Sequence, residues 1–248
     1  MNKMSKNLEE SNRILIETIK ENKPFIDSRL GMGPETVGIS IYLKNKKIIG
    51  KNFENAGIYC SKIPDLEKFY ILSEECLKNS EYLADFQNQK NHERNFIKEK
   101  LKLRELHSRV LESFYMVLEK QEPWSLQLFG KKVLIINPFV DSFQKQIDSQ
   151  FRFFKDKDIF HSEQEFVFYK SYQTSARNHL HSSWVETFNI MKEDIRKLDF
   201  DIALLGCGGY GLPLCNFIKM ELGKSAIYVG GGLQLLFGVK GKRWDNHS

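Results

Sequence analysis

No apolar run in this 248-residue chain approaches the roughly 18 residues needed to span a bilayer, and the opening MNKMSKNLEESNR has no apolar core of the signal-peptide kind. Those absences predict a cytoplasmic protein with no transmembrane segment. The cysteines Cys60, Cys76, Cys207 and Cys215 are widely spaced and form no C-x-x-C pair, which argues against a disulfide framework or a zinc knuckle and predicts buried thiols. Blocks of like charge are missing too. Lys and Arg (37) are interleaved with Asp and Glu (32) through most of the chain, as on solvated helix faces, and nothing reads as a nucleic-acid binder. The tail is the exception: Lys240, Lys242 and Arg243 fall within four residues, with no acid before Asp245, and could meet a phosphate. His179 and His181 lack a third ligand at fixed spacing, and no G-x-S-x-G elbow supports Ser175 as a nucleophile.

What is present is an alternation of strands, glycine turns and helices. With 41% apolar residues, the chain can bury a substantial core in one domain spanning 1–248. The segment DFDIALLGCGGYGLPL (199–214) places a buried strand, Ile202 to Leu205, before Gly206, Gly208 and Gly211 in G-x-G-x-x-G spacing. A helix is expected behind them from Leu212 to Leu222. FIDSRLGMGPETV (25–37) is a second such unit, with Pro34 placed to open a helix. Further strands are expected at 131–136, 165–169 and 225–229, and helices at 6–21, 141–151, 183–198 and 233–237. Residues 62–120, rich in Glu, Lys and Leu, read as a helical insertion. This pattern predicts a Rossmann-like α/β fold with a mainly parallel sheet flanked by helices. Its crevice should lie beyond the strand carboxyl ends, where Arg29 to Glu35, Asn137 to Phe139, Gly206 to Gly211 and Gly230 to Gln234 would converge.

A glycine turn at a helix amino end lets backbone N–H groups approach an anion without a side chain in the way. A dinucleotide site also wants an acid roughly 20 residues on, to hold the ribose hydroxyls. That place is taken by Val229 and three glycines, Gly230 to Gly232, which disfavours NAD or FAD. A purely structural alternative stays open, in which the glycines only permit close helix–strand packing.

The segments DFDIALLGCGGYGLPLCNFIK, GKSAIYVGGGLQLLFGVKGKRWD and KKVLIINPF resemble proteins of the GT-D type, which are Rossmann-like glycosyltransferases of bacteria and viruses. The similarity covers most of the chain loosely and its last quarter closely. It implies transfer of a sugar from a nucleotide-diphosphate sugar, a UDP-sugar first, to a saccharide or glycoprotein acceptor in polysaccharide or glycoprotein assembly. The family's Arg-x-Gly signature, followed by an acidic D-x-E element, has a counterpart in Arg29, Gly31 and Glu35, with Met32 where the first carboxylate would stand. A thioether is a poor ligand for Mg²⁺ or Mn²⁺, so no divalent metal is expected on this element.

In such a reaction the diphosphate leaves with growing negative charge, which calls for positive potential and often a carboxylate base near the acceptor. Arg29, the helix after Gly206, and Lys240 with Arg243 suit the first task, and Glu35 is the candidate base. The helix dipole alone also explains a Glu at that place. Asn137 and Phe139 could contact a base or sugar, or mark a turn. Gly230, Gly231 and Gln234 could expose backbone and an amide to the ligand, or only shape a tight turn. Tyr210 could cover the ligand or pack on the next loop. Trp184 and the phenylalanines read as core. Two rival functions are a non-catalytic nucleotide-sugar-binding module and an NAD-dependent oxidoreductase.

Overall fold

The computed structural model describes residues 3–31, 33–49, 56–59, 63–85, 92–152, 154–155, 157–174 and 180–240. Its centre is a seven-stranded sheet: β1 (Ile26–Arg29), β2 (Tyr82–Asp85), β3 (Arg104–His107), β4 (Val133–Asn137), β5 (Phe166–Lys170), β6 (Ile202–Leu205) and β7 (Ser225–Tyr228). The strands lie in the order β3-β2-β1-β7-β6-β4-β5, and every pairing is parallel. This is a Rossmann-like α/β fold. Parallel strands need helical crossovers that cover both faces, so the central strands can be apolar on both sides. Val133 to Ile136 and Ile202 to Leu205 are all buried for that reason. Each such side chain contributes about 1.5–3 kcal/mol relative to an exposed one.

Two apolar layers sandwich the sheet. Helices α2 (Pro34–Asn45), α3 (Ile63–Asn79), α7 (Trp184–Arg196) and α8 (Gly211–Met220) pack on one face, with α4 (His92–Leu101) adding Ile97. Helices α1 (Lys3–Lys20), α5 (Phe114–Leu118), α6 (Val140–Asp148) and α9 (Leu233–Leu236) cover the other. The sequence periodicity placed the core stripes: Leu8, Ile14, Leu15 and Ile19 of α1 are buried, as are Trp184, Phe188, Met191 and Ile195 of α7. The expected cap of α7 also forms. Ser183 Oγ accepts from the Glu186 N–H at 3.1 Å, while the Glu186 carboxylate reaches past it to the Ser182 N–H at 2.9 Å.

One expectation is corrected. The stretch 62–120, read as helices alone, supplies β2 and β3, the outer part of the sheet. Both are four residues long and carry Ala, Asp, Glu or Arg, residues that favour strands little. On the edge strand β3, Arg104 and Glu105 are exposed, so no apolar alternation shows. Pairing decides their conformation, β2 on the edge of β1 and β3 on the edge of β2.

The sides taken by the helices open the crevice. After β1 and β6 the chain turns onto the same face, as α2 and α8, whereas after β7 it turns to the other face, as α9. A gap therefore remains beyond the carboxyl end of β7, between the turns that leave β1 and β6.

Candidate functional site

The turn after β6 is built from backbone contacts too close for side chains. The Gly206 N–H donates to the Ile136 carbonyl at 2.9 Å, and Asn137 Nδ2 donates to the Gly206 carbonyl at 2.8 Å. A Cβ on Gly206 would lie 2.7 Å from both Asn137 Nδ2 and the Gly230 carbonyl oxygen. Gly208 has φ +62°, and a Cβ there would also meet the Ala56 carbonyl oxygen at 2.7 Å. The Tyr228 hydroxyl donates to the Gly208 carbonyl at 2.7 Å, fixing the turn to β7. A short 3-10 turn, Gly208–Tyr210, then runs directly into α8, whose positive end faces the strand ends.

The turn after β1 is held from outside the crevice. The Gly31 carbonyl accepts from Thr36 Oγ1 at 2.9 Å and from Arg94 Nη2 at 2.8 Å. Arg94 is itself buried and donates through Nη1 to Asp85 Oδ1 at 3.0 Å, while Lys98 Nζ reaches Asp85 Oδ2 at 3.0 Å. Pro34 opens α2, as expected from the sequence. The Glu35 carboxylate folds back over Gly31 and Gly33, so that a Cβ on either glycine would collide with it. Glu35 sits in the first helical turn and lines the crevice.

Arg29 joins the turn after β7. Its Nη1 donates to the Val229 carbonyl at 2.5 Å and lies 3.6 Å from Glu112 Oε1. Glu112 is 7% exposed and presses against Gly232, where a Cβ would come within 2.5 Å of its carboxylate oxygen. Burial pushes the Glu112 carboxyl above the usual carboxylate range, and the Arg29 and Arg109 charges pull the other way. Two residues before Arg29, and therefore on the same face of β1, Asp27 is fully buried. Burial raises its carboxyl to about 8 against the lowering pull of Arg29 and the Ala84 backbone, and neither carboxyl oxygen completes a hydrogen bond.

Three turns thus meet. Arg29, Gly31 and Glu35 from the first, Gly206, Gly208 and Gly209 from the second, and Gly230 and Gly231 from the third line one crevice of about 250 Å³. Ile39, Phe69 and Leu212 give it an apolar wall. That volume is just under the roughly 300–1,000 Å³ of sites that enclose a whole small ligand. No protein-family model, curated protein or solved structure matches this chain.

The other expected residues lie elsewhere or serve the frame. Tyr210 is 1% exposed and stacks on Trp184 with ring centroids 5.3 Å apart, its hydroxyl 3.0 Å from Thr174 Oγ1. It belongs to the core. Gly211 lies against the Tyr228 ring and allows close helix–strand packing, the structural alternative weighed above. Asn137 is buried, and its two amide ends are taken by Gly206 and by the Phe139 N–H at 2.9 Å, as in a turn. Phe139 is partly exposed and does not line the crevice. Gln234 is buried in α9, and Lys240 is exposed beyond it. Met32, Cys60, Ser175, His179, Lys242, Arg243 and Asp245 lie outside the described residues. Among the described residues, no three His, Cys, Asp or Glu are grouped to hold a metal ion, and no helix is long and apolar enough to cross a membrane.

Glu112, Arg94 and Asp85 had no sequence signal, because they come from the stretch read as helical insertion and support the crevice residues Arg29 and Gly31 only through tertiary contacts. A larger cavity of about 500 Å³ sits beneath α6 and α9, between Phe151, Phe160 and Phe237. It holds none of the converging glycine turns, and the smaller crevice carries the functional argument.

Proposed function

We propose that the crevice binds the diphosphate of a nucleotide-diphosphate sugar, a UDP-sugar first, and that the protein is a glycosyltransferase of the GT-D type acting on a saccharide or glycoprotein acceptor. The observation that carries this reading is the convergence of three glycine turns, Arg29 and Glu35 on one opening at the strand carboxyl ends. In the reaction the anomeric C–O bond breaks and its electron pair leaves with the diphosphate. The amino end of α8 and the Arg29 guanidinium meet that growing charge, and the apolar wall strengthens their field by lowering the local dielectric. The acceptor oxygen bonds to the anomeric carbon and gives its proton to the Glu35 carboxylate.

A second reading, a nucleotide-sugar-binding module without catalysis, is favoured by one observation: Glu35 lies against Gly31 and Gly33 in a pose that also serves the turn. An NAD-dependent oxidoreductase fits less well. The place after β7 where an acid would hold the ribose hydroxyls is taken by Val229 and Gly230 to Gly232. Thermal-shift screening against UDP-, GDP- and CMP-sugars, NAD and S-adenosylmethionine tests the reading. A ligand at 100 times its Kd stabilises by about 2.7 kcal/mol. That raises Tm by roughly 5–11 °C for a chain of this size. Stabilisation by NAD alone would overturn the proposal, and a UDP-sugar that binds without hydrolysis or transfer would favour the module.

A further inference from the structure

Arg29 faces two ways. It lines the crevice, and on its inner side it meets the Val229 carbonyl and the Glu112 carboxylate. The side chains of Arg29 and Glu112 are only 13% and 9% exposed, so water screens the pair weakly. Asp27 stands behind them on the same strand face with no hydrogen bond to either oxygen. One guanidinium therefore supplies positive potential to two buried acids.

We propose that Glu112 is the proton-linked counterion of Arg29: when a phosphate anion enters the crevice and engages the guanidinium, Glu112 takes up a proton from solvent, and it returns that proton when the anion leaves. The inference rests on the crevice being a phosphate site. The anion cancels the Arg29 field at Glu112 and leaves a buried carboxylate short of its cation, for which protonation is the least costly answer. Burial already holds the Glu112 carboxyl above its ordinary value, so losing the lowering influence of Arg29 raises it further.

The other groups around Glu112 do not replace Arg29. Asp27 on β1 is an acid, and Arg109 in the adjoining 3-10 turn (Ser108–Leu111), whose charge also acts on Glu112 but after that of Arg29, is drawn over the Tyr115 ring, 4.8 Å from its centroid. Burial and the Arg109 charge push the His107 ring, at the end of β3, below its usual range, so it adds no cation near neutral pH. The Gly230–Gly232 turn and α9 bring no ionisable side chain. The uncharged Ser11 and Asn12 of α1 are buried in this layer, while Glu9, Glu10, Arg13, Glu17 and Lys20 lie at the surface.

The test is calorimetry of pyrophosphate binding at one pH in buffers of low and high ionisation heat, with wild type and Glu112→Gln side by side. Protons exchanged by pyrophosphate itself are common to both proteins and cancel. Between the pH at which Glu112 titrates in the free protein and the higher pH at which it titrates in the complex, wild type should take up as much as about one additional proton, and its affinity should weaken by up to about tenfold per pH unit as pH rises across that interval. Glu112→Gln should bind pyrophosphate without that proton. If the variant does not fold, the wild-type value corrected for the free ligand's own titration decides the question. Binding with no additional proton uptake overturns the inference and leaves the phosphate site standing. No pyrophosphate binding at all overturns both.

Discussion

Gly206→Ala is the sharpest test of how the crevice floor is made. The added methyl would stand 2.7 Å from Asn137 Nδ2, 2.7 Å from the Gly230 carbonyl oxygen and 3.0 Å from Leu233 Cβ. Those atoms belong to β4, the turn after β7, and α9, and none is the loose end of an exposed side chain. To fit the methyl, Asn137 must release the Gly206 carbonyl, at about 0.5–1.5 kcal/mol. The two strand ends must also separate, which as overpacking costs about 1–3 kcal/mol. The sum, roughly 1.5–4.5 kcal/mol, corresponds to a Tm lower by about 3–18 °C at 2–4 °C per kcal/mol. Gly223→Ala is the matched control. Nothing lies within 4 Å of a Cβ there, and only its φ of +65° is strained, at about 1–2 kcal/mol. Differential scanning calorimetry of both variants should show the larger loss at Gly206, together with weakened binding of the stabilising nucleotide sugar. Equal midpoints for Gly206→Ala and wild type would refute the close-contact account of the turn.

Other outcomes follow from the same contacts. Glu35→Gln should retain donor binding and lose about 10²–10⁴-fold in turnover, and unchanged turnover removes Glu35 from the mechanism. Tyr210→Phe should cost about 0.5–1.5 kcal/mol by denaturant titration through the lost Thr174 contact, with nucleotide-sugar affinity unchanged. A fall in affinity would restore Tyr210 to the site. Arg94→Met breaks the buried pair with Asp85, which keeps Lys98, and removes one of the two donors to the Gly31 carbonyl, for up to about 3–5 kcal/mol, and a urea midpoint close to wild type would deny it that role. Asp27 gives a pH signature. Its carboxyl binds a proton up to about 8 in the folded protein but only to its ordinary value of 3.8 when unfolded, so between those pH values the native state holds more protons. Stability should therefore fall as pH rises from about 4 to 8, by up to about 1.4 kcal/mol per pH unit. Urea midpoints should show that fall in wild type and a flatter profile in Asp27→Asn; parallel profiles would contradict it.

The apolar runs at Val133 and Ile202 and the helical stripes of α1 and α7 could be read from sequence because their local pattern and tertiary role agree. The same holds for the turns at Gly31 and Gly206, whose glycines and Pro34 mark the backbone directly. Local pattern fails where neighbours decide the outcome. β2 is a strand because β1 offers it an edge, and β3 because β2 does, while Glu112 matters because of a guanidinium 83 positions earlier in the chain. Spacing also misassigns direction: Tyr210 sits inside the glycine motif, yet its ring is drawn to Trp184 and away from the opening.

The place of β7 has a kinetic consequence. The amino-terminal strands β1 to β3 form one half of the sheet and β4 to β6 the other, and β7, which follows all six in the chain, joins them by pairing with β1 and β6. Until residues 225–228 are available, each half exposes an unpaired parallel edge, and the turns that shape the crevice cannot meet. Such long-range closure is slow and leaves aggregation-prone edges open in the meantime. Ligand-binding competence is thus acquired late in folding, and a nascent chain stalled before Ser225 would hold two half-sheets and no site.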